Sequence, residues 1–228
     1  MVNKEISLLW FRQDLRLSDN PALIAAAACN LEILPIYIHD NLSPQEYAIG
    51  SASKIYLYNS LTNLNKSLSN KLNIYTGDPL KILIYLLQKY NIKQIFWNRC
   101  YEPWLLSYDE IITKQLKPYN TNCIITNGSY LWDPSKITKD DGSYYKVFSA
   151  YKRKVYSLHP SKPLSKPQFT VLQDIDNKRR IDDLQLIPNH KWAEKIIPAA
   201  DKISFGASQG LNKYLFGKFF NSGKKCFV

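Results

Sequence analysis

Five short runs rich in β-branched and aromatic residues, each parted from the next by a segment of helical spacing, limit the fold more than any other feature. The runs are residues 6–10, 32–39, 73–76, 94–97 and 123–126. Such residues fit a pleated, half-buried surface, and the runs have strand length. Between them, Leu57, Leu61, Leu64 and Leu68 mark one helix face, in a helix expected over residues 53–71. Leu80, Leu83, Ile84 and Leu87 mark a second, and Leu105, Tyr108, Ile112 and Leu116 a third. Asn20-Pro21 and Asp78-Pro79 read as helix starts, with a capping side chain and proline at the first helical position. Strands that alternate with helices pair in parallel through right-handed crossovers. The expected fold is therefore α/β: a five-stranded doubly wound parallel (Rossmann-like) sheet. Pro35, within the second run, asks for an edge position or an irregularity.

After Asn127 the alternation stops. Residues 133–200 hold six of the 12 prolines and little periodicity. The sequence thus divides into an α/β domain over 1–132, a connector with short helices over 133–205, one of them around residues 144–158, and a last segment over 206–228. A further helix is expected at 211–220. A chain of 228 residues, 45% hydrophobic, can bury a sizeable core. No apolar run approaches the roughly 20 residues that span a bilayer, so no membrane partner is expected. Cys29, Cys100, Cys123 and Cys226 are scattered, as are His39, His159 and His190. The pattern suits a reducing, cytoplasmic setting and offers no metal site.

The net charge of +11 is unevenly placed. Residues 1–135 carry 12 basic and 11 acidic side chains, and residues 136–228 carry 18 and 8. A basic segment can meet phosphate, form a solvated face, or meet another domain. Asp140-Asp141 and Asp182-Asp183 stand in polar sequence with no apolar pocket to raise a pKa, so they read as solvated loop charges. There is no Gly-x-Gly-x-x-Gly after the first strand and no phosphate-binding Gly-x-x-x-x-Gly-Lys, which argues against the usual dinucleotide and nucleoside triphosphate sites. No catalytic residue is assigned.

Ligands of open parallel sheets sit beyond the carboxyl ends of the strands, at the switch in strand order. With strands one and four as neighbours, Arg12 and Arg99 fall near one pocket with Tyr101 and Glu102, suited to a planar, partly anionic ligand. Arg12, Asp14, Arg16 and Asp19 have a second reading, as an ion-pair network that braces the loop.

The residues Trp10-Phe11-Arg12-Gln13-Asp14-Leu15-Arg16 up to Asn20 resemble the opening of the DNA photolyase/cryptochrome family. Lys54 to Leu61, Ile74 to Pro79, Phe96 to Pro103 with Asp109, and Gly142 to Tyr151 continue that resemblance in order. It covers about residues 6–151 and implies an N-terminal α/β domain that holds an antenna chromophore of deazaflavin, flavin or folate type. By resemblance, the loops after strands two and four supply contacts through Ile38, His39, Arg99, Cys100, Tyr101, Glu102 and Pro103. Arg12 joins them from the first loop and Lys54 from the long helix. Folate-binding members have an Asn-Glu pair where this chain has Trp104-Leu105. The resemblance also implies FAD and pyrimidine-dimer splitting, a carbon–carbon lyase reaction, in a helical domain expected to be missing here. Gly210 to Leu215 resembles the start of that domain. The chain alone is then expected to be inactive, with a separately encoded FAD-binding domain as partner and damaged DNA reached only through it. The alternatives are a non-enzymatic docking partner, using the basic connector and the aromatic stretch 214–220, and a decayed gene product.

Overall fold

The computed structural model describes residues 4–40, 42–158, 162–189 and 192–193. Ten regular elements follow one another: β1 (Ile6–Phe11), α1 (Pro21–Ala28), β2 (Glu32–His39), α2 (Ser51–Ser67), β3 (Asn73–Thr76), α3 (Pro79–Lys89), β4 (Ile92–Asn98), α4 (Pro103–Leu116), β5 (Asn122–Thr126) and α5 (Phe148–Ser157). The strands form one parallel sheet in the order β3-β2-β1-β4-β5. β1 pairs with β4, Leu8 opposite Ile95, and β4 with β5, Ile95 opposite Cys123. The order reverses between β1 and β4, which makes that junction the switch point.

Burial follows position in the sheet. All six residues of central β1 are buried, so it reads as a continuous apolar run, while edge strand β5 is only half-buried. Leu8, Leu9, Trp10, Phe11, Ile95, Phe96 and Trp97 are almost wholly buried and belong to the core. β2 is an interior strand despite Pro35. Ile33, two residues earlier, donates its N–H to Thr170 and accepts from Leu172, forming a bridge to Val171. Strand alternation turns the Pro35 nitrogen to that same flank, where the connector supplies the partner. Proline is thus tolerated at an irregularity.

α1 starts as its sequence dictates: the Asn20 side chain accepts from Leu23 N at 3.1 Å and Pro21 takes the first helical position. α2 ends four residues before the expected stop. Ser69 and Asn70 adopt φ of 57° and 61°, and the Asn65 side chain accepts from Leu72 N. The left-handed pair breaks a helix that leucine spacing alone would continue.

Two compact units divide the chain. One takes in residues up to Ile36 together with Leu80–Leu172, the other Tyr37–Pro79 together with the segment from Gln173 on. The connector is therefore shared. In the first unit it ties Leu164 to Asp19, whose N–H donates to Leu164 O at 2.7 Å. In the second, Tyr75 Oη donates to buried Asp174 at 2.7 Å, Asn177 donates to Ile74 O, and Tyr58 Oη donates to Asp182 at 2.8 Å. Asp182 and Asp183 are exposed as expected, yet Asp182 anchors Tyr58 and Asp183 accepts from Arg180 N. The expected helix at 211–220, the aromatic stretch 214–220, His159, His190 and Cys226 lie outside the described residues.

Asn20 is fully buried and joins the cap to the polar groups at the end of β1. Asn20→Ala should cost about 2–4 kcal/mol, about 1 from the cap and the rest from partners left unsatisfied. Urea unfolding would show this as a lowered midpoint. Ser67→Ala, at the exposed end of α2, should change stability by less than about 0.5 kcal/mol.

Candidate functional site

The loop after β1 is braced by a buried ion pair. Arg12 Nη1 donates to Asp109 Oδ1 at 2.7 Å and Oδ2 at 3.0 Å, and both side chains are only 6% exposed. Trp97 Nε1 donates a third hydrogen bond to Asp109, and the guanidinium lies 4.7 Å from the Trp10 ring centroid. Burial pulls the Asp109 pKa upward, against the opposing pull of Arg12 and Trp97. Of the two uses open to Arg12, the geometry shows bracing.

A second network holds the carboxyl ends of β1, β4 and β5. Asp14 accepts from Arg12 N, from Asn20 Nδ2 at 3.2 Å and from Asn98 Nδ2. Asn98 also donates to Asn20 Oδ1 at 2.8 Å and accepts from Thr126 Oγ1 at 2.6 Å. Arg16 donates to the carbonyls of Asp19 and Gly128, the latter at 2.7 Å. A Cβ at position 128 would run into the Asn98 side chain, so only glycine fits there. The switch point is filled by the chain's own polar groups, all mutually satisfied.

The remaining positions of the fourth-strand loop behave differently from one another. Arg99 is half-buried, donates its N–H to Thr126 O, and lines a groove of about 510 Å³ with Leu106, Asp109, Lys114, Lys117 and Ile125. Arg12 is linked to that groove through Asp109. Cys100 is buried, and desolvation pushes its thiol up to about 12, so it stays protonated. Tyr101 packs edge-on against Tyr130 at 4.5 Å, and burial raises its pKa. Its hydroxyl is buried with no hydrogen-bond partner, as is the Trp132 indole N–H. Glu102 accepts from Gln13 Nε2 at 2.7 Å, which fixes one carboxylate oxygen. Pro103 opens α4, and Leu105 beyond it is buried in the core.

In the second unit, Ile38 is buried, so its side chain belongs to the core. His39 is half-buried, and desolvation lowers its pKa, with Lys54 acting in the same direction and Asp40 against it. The imidazole is therefore neutral near pH 7 and can both donate and accept a hydrogen bond. Among the described residues no group of three His, Cys, Asp or Glu side chains could hold a metal ion.

Three residues of these networks have no role in the sequence reading, although Asn98 and Asp109 belong to the resembling fourth-strand segment. Asp109 occupies the buried stripe Leu105-Asp109-Ile112-Leu116, where Tyr108 was expected to face the core. A carboxylate on an apolar helix face needs a buried cation, and that signal was present. Asn98, a polar residue ending an apolar strand, was a weaker one. Gln13 carried none.

Comparison with known proteins agrees with this architecture. The DNA photolyase family model matches residues 7–168. The deoxyribodipyrimidine photo-lyase of Agrobacterium fabrum is 27% identical over 216 residues, covering 92% of this chain and 44% of the relative. Cryptochrome-1 of Arabidopsis thaliana is 27% identical over 175 residues, covering 74% and 26%. A bacterial class III photolyase from Agrobacterium tumefaciens superposes with a TM-score of 0.77 at 27% identity, covering 86% of this chain and 41% of that one. The chain spans less than half the length of these relatives.

The buried pair has a clear signature. Arg12→Met should cost about 3–5 kcal/mol by leaving Asp109 desolvated and unpaired, whereas the double variant R12M/D109L should cost less than either single change. In Arg12→Met the folded-state pKa of Asp109 rises further above its unfolded value. Stability then falls as pH rises through that folded pKa, so the deficit should be smaller near about pH 5 than near about pH 8. Denaturant titrations of the three variants at both pH values would measure it.

Proposed function

We propose a function on one premise: the chain belongs to the DNA photolyase family. In this reading its α/β domain is the light-harvesting part of a DNA-repair system. The domain holds a planar chromophore, which when bound absorbs light and passes excitation energy to a flavin held elsewhere. The observation that carries the proposal is the Tyr101 hydroxyl, buried and without a partner beside half-buried Arg99. An orphaned buried donor costs about 1–3 kcal/mol unless a ligand satisfies it. An acceptor atom on a chromophore would do so.

The chain's own residues supply orientation. The raised pKa keeps Tyr101 protonated, so it donates. Arg99 offers a planar fork to carboxylate or enolate oxygens. Gln13 holds Glu102 in one rotamer, leaving its second oxygen as an acceptor. Leu105 is turned into the core where folate-binding members have a carboxylate, which favours a flavin or deazaflavin over a folate. Excitation would pass to FAD on a helical domain, through which damaged DNA would be reached, in the cytoplasm.

Equilibrium binding of a 5-deazaflavin, FMN and a reduced folate, followed by difference absorbance, tests this. Tyr101→Phe should weaken binding about 3–10-fold and Arg99→Gln about 10–100-fold, as expected for lost neutral and charged hydrogen bonds. Tyr101→Phe should leave the stability of the chromophore-free chain unchanged or raised, because it removes an orphaned hydroxyl. Failure to bind any of the three, or equal affinity in both variants, would refute the assignment.

A further inference from the structure

The two edges of the sheet differ. At β3 the connector supplies partners: Asp174 N donates to Asn73 Oδ1, and Asn177 Nδ2 donates to Ile74 O. β5 ends the strand order at the other side. Thr126 O accepts from Arg99 N, so the backbone of Thr126 faces β4. Backbone groups point to alternate sides along a strand, so the N–H and C=O of Cys123 and Ile125 face the open edge. Neither residue has a hydrogen-bond partner on that side among the described residues.

The groove of about 510 Å³ lies beside this strand. Ile125 lines it from β5, and Leu106, Glu110 and Lys114 line it from α4, with Lys117 at the helix end. A sheet edge that meets a side-chain groove is how extended peptides bind as added strands: backbone bonds give affinity and alternate side chains give specificity. Charge selects the occupant. Arg99, Lys114 and Lys117 line the groove, Asp109 is spent on Arg12, and Glu110 is the remaining carboxylate. A second copy docked edge to edge would bring another cationic groove alongside the first, which like charges oppose.

We infer that β5 and α4 form a docking groove for an extended acidic peptide of a partner protein, which joins the sheet beside β5. Its backbone pairs with Cys123 and Ile125. Its alternate side chains enter the groove, an apolar one against Leu106 and Ile125 and a carboxylate at Lys114 and Lys117. This inference does not rest on the antenna reading.

Fluorescence anisotropy of the full chain with a labelled, end-capped peptide Thr-Glu-Thr-Val-Thr-Glu-Thr tests it. Glu, Val and Glu share one face of that peptide in either strand direction. Binding should saturate, and should weaken as salt rises from about 50 to about 500 mM. K114E/K117E should weaken it about 10–100-fold and transfer preference to the same peptide with Lys in place of Glu. Both lysines are exposed, and binding of the swapped peptide shows that the variant is folded. Two further peptides, each N-methylated at one set of alternate residues, test strand addition. One of them should lose about tenfold or more in affinity, because only alternate N–H groups face β5. No binding at low salt, equal binding of the Glu and Lys peptides to the wild type, or full affinity of both methylated peptides would overturn the inference. So would a dimer in sedimentation that the Glu peptide dissociates, which would assign the edge to a second copy.

Discussion

One buried carboxamide, Asn98 at the end of β4, sets the terms for the rest of this domain. It follows the buried apolar residues Ile95, Phe96 and Trp97 and is itself buried, so its polar atoms must be satisfied within the protein. Asp14, Asn20 and Thr126 provide the partners, and those three come from the first loop, the α1 cap and the end of β5. The geometry at one residue therefore fixes three elements at once. It also dictates glycine at 128, where any side chain would collide with Asn98. The Arg12–Asp109 pair does the same one layer away, binding the β1 loop to α4.

This internal satisfaction has a consequence for ligand binding. Open α/β sheets commonly use the switch point between their central strands as a binding crevice. Here the polar groups at that point are spent on one another. The unspent groups lie further out on the fourth-strand loop, in Tyr101, Arg99 and one oxygen of Glu102. A bound chromophore would meet a rigid frame whose rotamers are fixed beforehand, which lowers the cost of ordering the site. The same loop carries a buried, protonated thiol at Cys100 that contributes packing rather than chemistry.

The sequence disclosed the sheet because its signals were local. Strand-length runs, helical leucine spacing and the Asn20-Pro21 start each need only a few neighbouring residues, and each appears in the structure where it was expected. The stop of α2 at Ser67 was hidden because left-handed Ser69 and Asn70 carry no strong compositional mark. The site was only half legible. Arg12 was visible as a functional side chain, but its partner lies 97 residues away, and no spacing rule links the two. Asp109 stands in the resembling segment, but its place on the buried face of α4 is masked by Tyr108 beside it, which fits an apolar face better. The role of the connector was missed for the same reason: its bonds to Asn73, Ile74 and Tyr75 cross about a hundred residues.

The central claim is that this α/β domain holds one antenna chromophore per chain. Trp10 and Trp97 are buried within it, 5.9 Å apart, and report on any acceptor bound to the folded domain. Tryptophan fluorescence titrated with a deazaflavin or FMN tests the claim most directly. The account predicts saturable quenching that ends at one chromophore per chain and disappears when the protein is unfolded. Quenching that rises linearly without saturation, or that survives unfolding, would contradict it.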